Sequence, residues 1–157
     1  MGIKTKLKHA ISFLLHGEAK PIYANIHYLA PNEHLKGKKI VITGGGRGLG
    51  FAMAKKFVSE GAKVLIAGRN EQTLKQSALE INCLYLPLDV QDTTSFKEFI
   101  DKADKMLGGI NCLVNNAGII KRIPMTEMSV EDFKQVIDID LNAPFIVSKA
   151  VLPGMIK

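Results

Sequence analysis

The stretch TGGGRGLG, Thr43 to Gly50, sets five glycines in seven consecutive positions directly after the apolar run Ile40-Val41-Ile42. Branched apolar residues, then glycines, then the helix-forming FAMAKKFV read as strand, turn and helix. That order brings several backbone N–H groups and the positive end of a helix to one point, which favours a phosphate there. Glycine lets a ligand come close to the backbone. The same residues also suit a tight strand-to-helix turn with no ligand, so the turn alone does not decide between the two.

The pattern around the turn repeats. From Lys38 onward, short apolar runs alternate with longer segments of helical period, as parallel βα units require. KIVITG, KVLIAG, CLYLPLDV and NCLVNNAG read as four strands. GLGFAMAKKFVSEG reads as a helix ending at Gly61, and NEQTLKQSALEI as one opened by Asn70 as N-cap. TTSFKEFIDKADKML sets Phe96, Phe99, Ile100, Ala103 and Leu107 on one face. The last segment opens on Ser129 with Asp132 three residues later, close to a capping box, and predicts a bend at Pro144. The fold class expected for residues 37–157 is α/β: a Rossmann-type doubly wound parallel sheet of about four strands in the order 3-2-1-4. The fourth strand would then be an open edge, and marginal stability is expected for such a sheet alone.

Residues 1–36 stand apart as a basic, amphipathic N-terminal helical extension. They hold all four histidines, His9, His16, His27 and His34, and five lysines against two glutamates. The apolar core AISFLL is too short for a secretory signal or a membrane span. Three readings remain open. The segment is a helix and strap packed on the domain or on a neighbouring subunit, a membrane-surface or partner-binding helix, or a histidine zinc site with no Cys or carboxylate at ligand spacing.

The chain has 157 residues, 46% apolar and 23% charged, with a net charge of +6. These values suit one globular domain and an anionic ligand. Nucleic acid is not expected as a partner, because the basic residues are dispersed and Trp is absent. Cys83 and Cys112 form neither a CxxC pair nor a disulfide framework, which predicts a cytoplasmic location.

Dinucleotide folds set a residue at the end of the second strand against the adenosine ribose. An acid there selects a free 2′-hydroxyl, and an Arg accommodates a 2′-phosphate. Here the position reads Ala67-Gly68-Arg69, and Arg47 in the turn adds a second guanidinium suited to forked phosphate contacts. NADP (NADPH) is therefore expected over NAD.

Four elements in order, TGGGRGLG at 43–50, LDV at 88–90, NNAG at 115–118 and DIDLNAPF at 138–145, resemble the short-chain dehydrogenase/reductase family over about residues 37–157. The expected cofactor site comprises Thr43, Gly44, Gly46, Arg47, Gly48, Leu49 and Gly50 of the turn and Arg69 at the strand end, to which the resemblance adds Asp89 and Val90 at the adenine. The resemblance also sets Asn116, Ala117 and Gly118 against the ribose, with Asn115 steadying the sheet. Residues 118–129 and 137–157 look most like the gluconate 5-dehydrogenase subfamily and related sugar-acid or polyol reductases; a 3-oxoacyl thioester is the alternative substrate. Lys121 and Arg122 are candidates for attracting a substrate carboxylate, or are solvated loop charges.

The family also implies a Ser, a Tyr with Lys four residues later, and a helix Asn that orders a proton-relay water. Tyr23, Tyr28 and Tyr85 are followed at that spacing by His27, Asn32 and Asp89. The Ser, Tyr and Lys are expected after Lys157, and Asp140 stands at the helix Asn position as the candidate catalytic residue. The resemblance thus implies the cofactor-binding part of an NADP-dependent enzyme that interconverts an alcohol and a carbonyl, homo-oligomeric when complete. A non-catalytic nucleotide-binding or interaction module is the alternative.

Overall fold

The computed structural model describes residues 2–16 and 30–156. Tyr23, His27 and Tyr28 lie outside the described residues, as do the side chains of His9 and His16. Among the described residues, no group of three His, Cys, Asp or Glu comes together to hold a metal ion.

Four parallel strands, β1 (Lys39–Thr43), β2 (Lys63–Gly68), β3 (Leu84–Pro87) and β4 (Cys112–Val114), form one sheet in the order β3-β2-β1-β4. The register sets Thr43 beside Ala67 and Ile42 beside Val114, so the carboxyl ends of the three strands lie level. Helix α1 (Ile3–His16) precedes the sheet. The other helices are α2 (Gly48–Ser59), α3 (Glu71–Ile81), α4 (Phe96–Leu107), α5 (Val130–Ile137) and α6 (Ala143–Met155).

Side-chain alternation along the central strands builds two cores. Ile40, Ile42, Val64 and Ile66 pack with Ala54 of α2 and Leu74 of α3. Val41, Leu65 and Ala67 pack on the opposite side with Phe96 and Ala103 of α4 and Val147 of α6. Both faces of β1 and β2 are covered, which explains why their sequences are continuously apolar rather than alternating. The lysines that open these strands have a partner as well. Lys63 Nζ donates to the carbonyls of Met106 (2.8 Å) and Leu107 (3.2 Å), and Lys39 Nζ donates to that of Gly108. Two cations thus meet the negative end of α4.

Helix ends follow the chemistry of their caps. Asn70 Oδ1 accepts from Thr73 N–H (2.8 Å), Ser129 Oγ accepts from Asp132 N–H (3.0 Å), and Gly61 takes the left-handed conformation at φ +85°. All five residues expected on one face of α4 are buried. Cys83 and Cys112 are free and half-buried against the α2 and α3 core, and burial pushes the Cys83 thiol up to about 11.

Three boundaries differ from expectation. β3 pairs over four residues because, beyond it, Asp89 Oδ1 accepts from Gln91 N–H (3.0 Å) and turns the chain. β4 is three residues long because the Thr43 hydroxyl accepts the amides of Asn116 and Ala117, which would otherwise extend the ladder. The irregularity expected at Pro144 falls just before it, as a π-helical turn over Asp138–Asn142 in which Ala143 N–H bonds the Asp138 carbonyl five residues back. Pro144 has no N–H for the carbonyl four residues back, that of Asp140, and sits in the first turn of α6, where the missing donor costs least.

Residues 30–38 are strapped to the end of α2. Leu35 N–H donates to the Glu60 carbonyl (2.9 Å) and Lys63 N–H to the Lys38 carbonyl (2.8 Å). The Glu60 side chain, 11% exposed, accepts from Lys56 on one oxygen and from His34 Nδ1 on the other (2.5 Å). Those bonds, Lys56 first and then His34, lower the Glu60 carboxyl from its ordinary 4.5 to about 2. A depressed carboxyl stabilises the fold above its unfolded pKa, and that contribution is lost as pH falls through the folded value. Glu60→Gln should therefore lower the thermal midpoint at neutral pH. The gap to the parent chain should shrink from about pH 5 towards about pH 2. Circular dichroism melts of the two proteins measure this, and a gap independent of pH would exclude the charge as its source.

Candidate nucleotide-binding site

A cleft of about 520 Å³ lies at the carboxyl ends of the strands. Its floor is the glycine turn, and the geometry there explains the glycines. Gly44 has φ +66°, and a Cβ on it would come within 2.9 Å of Ala117 Cα and of Asn116 Nδ2. A Cβ on Gly50 would collide with the Gly44 carbonyl and with Asn116 Nδ2. Gly48 has φ +56° and open space above it. Gly50 thus serves close packing behind the turn and Gly44 the close approach of the Asn116–Ala117 segment, while Gly48 leaves open space at the cleft.

Hydrogen bonds hold the turn from three sides. Gly45 N–H donates to the Ala67 carbonyl of β2 (3.0 Å), and Ser77 Oγ of α3 donates to the Gly46 carbonyl (2.8 Å). From the segment just after β4, Asn116 Nδ2 donates to the carbonyls of Thr43 and Gly44, both at 3.1 Å. Thr43, 2% exposed, completes the junction. Its hydroxyl accepts from Asn116 N–H and Ala117 N–H, each at 3.1 Å, and donates to the Val114 carbonyl at 3.3 Å.

The mouth of the turn fits an anion. Arg47 occupies the N-cap of α2 without a side-chain cap bond, and the first turn of α2 holds no acid. A helix start left in that condition keeps its donors and partial positive charge for a ligand. Arg47 and Arg69 both line the cleft and are exposed. Asp89 is the one acid among the described lining residues. No carboxylate among the described residues stands within ion-pair distance of either arginine.

Of the predicted site residues, Thr43, Gly44, Gly46, Arg47 and Gly48 of the turn line the cleft. Arg69, Asp89, Val90, Asn116, Ala117 and Gly118 join them. Leu49 and Gly50 are outside the lining: Leu49 is exposed to solvent and Gly50 packs behind the turn. Asp140 is also outside it. Its Oδ1 accepts from Ile119 N–H (2.9 Å) and would stand 3.2 Å from a Cβ on Gly118, so it fixes the loop leaving β4. Asn115 Nδ2 donates to Ser148 Oγ (3.0 Å), tying the segment just after β4 to α6. Tyr85 is half-buried with the α2 and α3 core, away from the cleft lining.

Lys121 is not a free cation. It pairs with Asp132 at 2.5 Å, and Asp132 also accepts from Ser129 Oγ (2.6 Å). Lys121 and then Ser129 hold the Asp132 carboxyl below its ordinary range. Arg122 remains exposed. Sequence reasoning missed Asn70, Thr73, Leu74, Gln91, Ile119 and Ile139 as lining residues. Asn70 and Thr73 were in reach, since they open the helix that follows the second strand; Ile139 comes from the π-helical turn, which no spacing announced.

A parallel sheet with a glycine turn, an uncapped helix start and two arginines at its carboxyl edge defines a nucleotide-binding α/β protein. The family model described as short chain dehydrogenase matches residues 38–157. A 2-dehydro-3-deoxy-D-gluconate 5-dehydrogenase from Formosa agariphila is 40% identical over 129 residues, covering 78% of this chain and 49% of that protein. Galactitol 2-dehydrogenase from Agrobacterium fabrum is 37% identical over 124 residues, covering 78% and 48%. The crystal structure of 2-keto-3-deoxy-D-gluconate dehydrogenase from Streptococcus agalactiae superposes with a TM-score of 0.69 at 48% identity, covering 80% of this chain and 49% of that one. The chain belongs to the short-chain dehydrogenase/reductase family, and it spans about half the length of the curated relatives it matches.

Thr43→Val should leave two amides of the β4 loop without their acceptor, at a cost of about 1–3 kcal/mol. Urea unfolding would measure this, with Thr43→Ser close to the parent chain. A loss in Thr43→Ser with little in Thr43→Val would show that the methyl group, not the hydroxyl, matters at this position.

Proposed function

We propose that residues 37–157 form the cofactor-binding part of an NADP-dependent oxidoreductase, with residues 1–36 as an added extension. The reaction is the interconversion of an alcohol and a carbonyl on a sugar acid or polyol. Family membership implies a nicotinamide dinucleotide, which when bound supplies or accepts a hydride. The observation that carries the NADP assignment is the paired Arg47 and Arg69 on the cleft, with neither guanidinium committed to a carboxylate among the described residues.

In this reading the amides at the start of α2 receive the pyrophosphate, and Gly48 keeps its approach open. Arg69 and Arg47 receive the 2′-phosphate; Asp89 and Val90 border the adenine, and Ala117 and Gly118 the ribose. Asn116 acts mainly by clamping the turn, because its amide nitrogen is engaged by two turn carbonyls. Asp140 is a positioning residue, holding the loop at Ile119 through its side chain. Its carbonyl, which has no Pro144 N–H to accept, is the candidate support for a relay water. None of Tyr23, Tyr28 and Tyr85 has Lys four residues on, which supports assigning these residues the cofactor share of the chemistry.

The sugar-acid and polyol class is supported by the relatives that act, by name, on a deoxygluconate and on galactitol. With Lys121 paired to Asp132, Arg122 is the candidate partner for a substrate carboxylate. Exposed Phe133, Leu141 and Phe145 on the α5–α6 side support a homo-oligomer for the whole protein. A cytoplasmic location belongs to the same proposal.

Calorimetric titration with NADPH and NADH tests the assignment. The parent chain should prefer NADPH, and Arg69→Asp should weaken NADPH binding by about tenfold or more, equivalent to about 1.4 kcal/mol, with little change for NADH. Equal losses for both cofactors would remove the 2′-phosphate role from Arg69.

A further inference from the structure

Helix α1 carries a feature that the nucleotide site does not use. Ile3, Leu7 and Ile11 recur at every fourth position and share one stripe of the helix. They are 85%, 61% and 49% exposed. Lys4, Lys6 and Lys8 are exposed too, and the sequence IKTKLKHAISFLLH contains no acid. At 3.6 residues per turn, Lys4 and Lys6 fall on opposite sides of the line from Ile3 to Leu7. Ammonium groups therefore border the apolar stripe on both flanks, and their methylene stems can lie along it while the charges reach outward. The family match begins at residue 38, so α1 lies outside the part that the family accounts for.

We propose that α1 docks the protein on an anionic lipid surface, lying in the headgroup plane with Ile3, Leu7 and Ile11 inserted and the lysines at the phosphates. Charge complementarity selects this occupant. An apolar protein groove would accept the stripe but leave three unopposed ammonium groups at its rim, whereas an anionic bilayer supplies apolar depth and negative charge in one surface. The helix lies on the membrane rather than through it. At 14 residues α1 is too short to span, and among the described residues no helix is long and apolar enough to cross.

Sedimentation of the 157-residue chain with vesicles tests this, using phosphatidylcholine alone and phosphatidylcholine mixed with phosphatidylglycerol. Binding is expected to the mixed vesicles, falling with added salt, and not to the neutral ones. Leu7→Glu should reduce it by about tenfold or more, and each Lys→Gln change at positions 4, 6 and 8 by about fivefold. An unchanged thermal midpoint in these variants would confirm that the sheet is intact. The proposal is overturned by absence of binding to the mixed vesicles, by equal binding to neutral ones, or by a Leu7→Glu variant that binds like the parent. Self-association relieved by Leu7→Glu, without vesicle binding, would assign the face to a second copy of the chain and overturn it equally.

Discussion

β1 lies between two parallel partners, and this pairing determines what stands at the site. With β2 on one side and β4 on the other, three strands deliver their carboxyl ends to one edge, and the chain leaving β1 must turn within that crowded space. The turn passes so close to Ala117 and Asn116 that a side chain at Gly44 or Gly50 would meet backbone or the Asn116 amide. Thr43 closes the junction, since a single buried hydroxyl bonds β4's carbonyl and the two amides that leave it. The sheet core and the ligand cleft are thus joined through one residue, and a change there reaches both.

The electrostatics of the cleft follow from the same arrangement. Backbone amides of a glycine turn cannot be shielded by their own side chains, and α2 begins without a capping oxygen or an acid. Two arginines and one aspartate border the cleft among the described residues, so its charge balance favours an anionic ligand. The lysines at the opposite ends of β1 and β2 are turned to a different purpose, neutralising the carbonyl end of α4. The positive character of the cleft therefore rests on a few placed groups and owes little to the net charge of the chain.

Much of this was legible in the sequence because it depends on local pattern. Continuous apolar runs marked β1 and β2, five residues at helical spacing marked the buried face of α4, and Asn70, Ser129 and Gly61 marked helix ends through their own hydrogen bonding or φ. The less legible parts depend on contacts distant in sequence. β4 stops early because of a hydroxyl 73 residues before Asn116. Lys121 is neutralised by an aspartate from the next helix, and His34 is drawn to Glu60 across 26 residues. The π-helical turn before Pro144 follows from a missing donor whose effect is felt one turn earlier than the proline itself. Loop charges and strand ends are settled by tertiary partners, which spacing along the chain does not reveal.

The proposed function requires a dinucleotide phosphate on the glycine turn. Amide chemical-shift mapping of the isotopically labelled chain during addition of NADPH tests it most directly. The largest shifts are expected at Gly46, Arg47, Gly48 and Leu49, with smaller ones at Arg69 and Gly118 and little change in α4. Saturable binding with its shifts confined to residues away from this turn would contradict it.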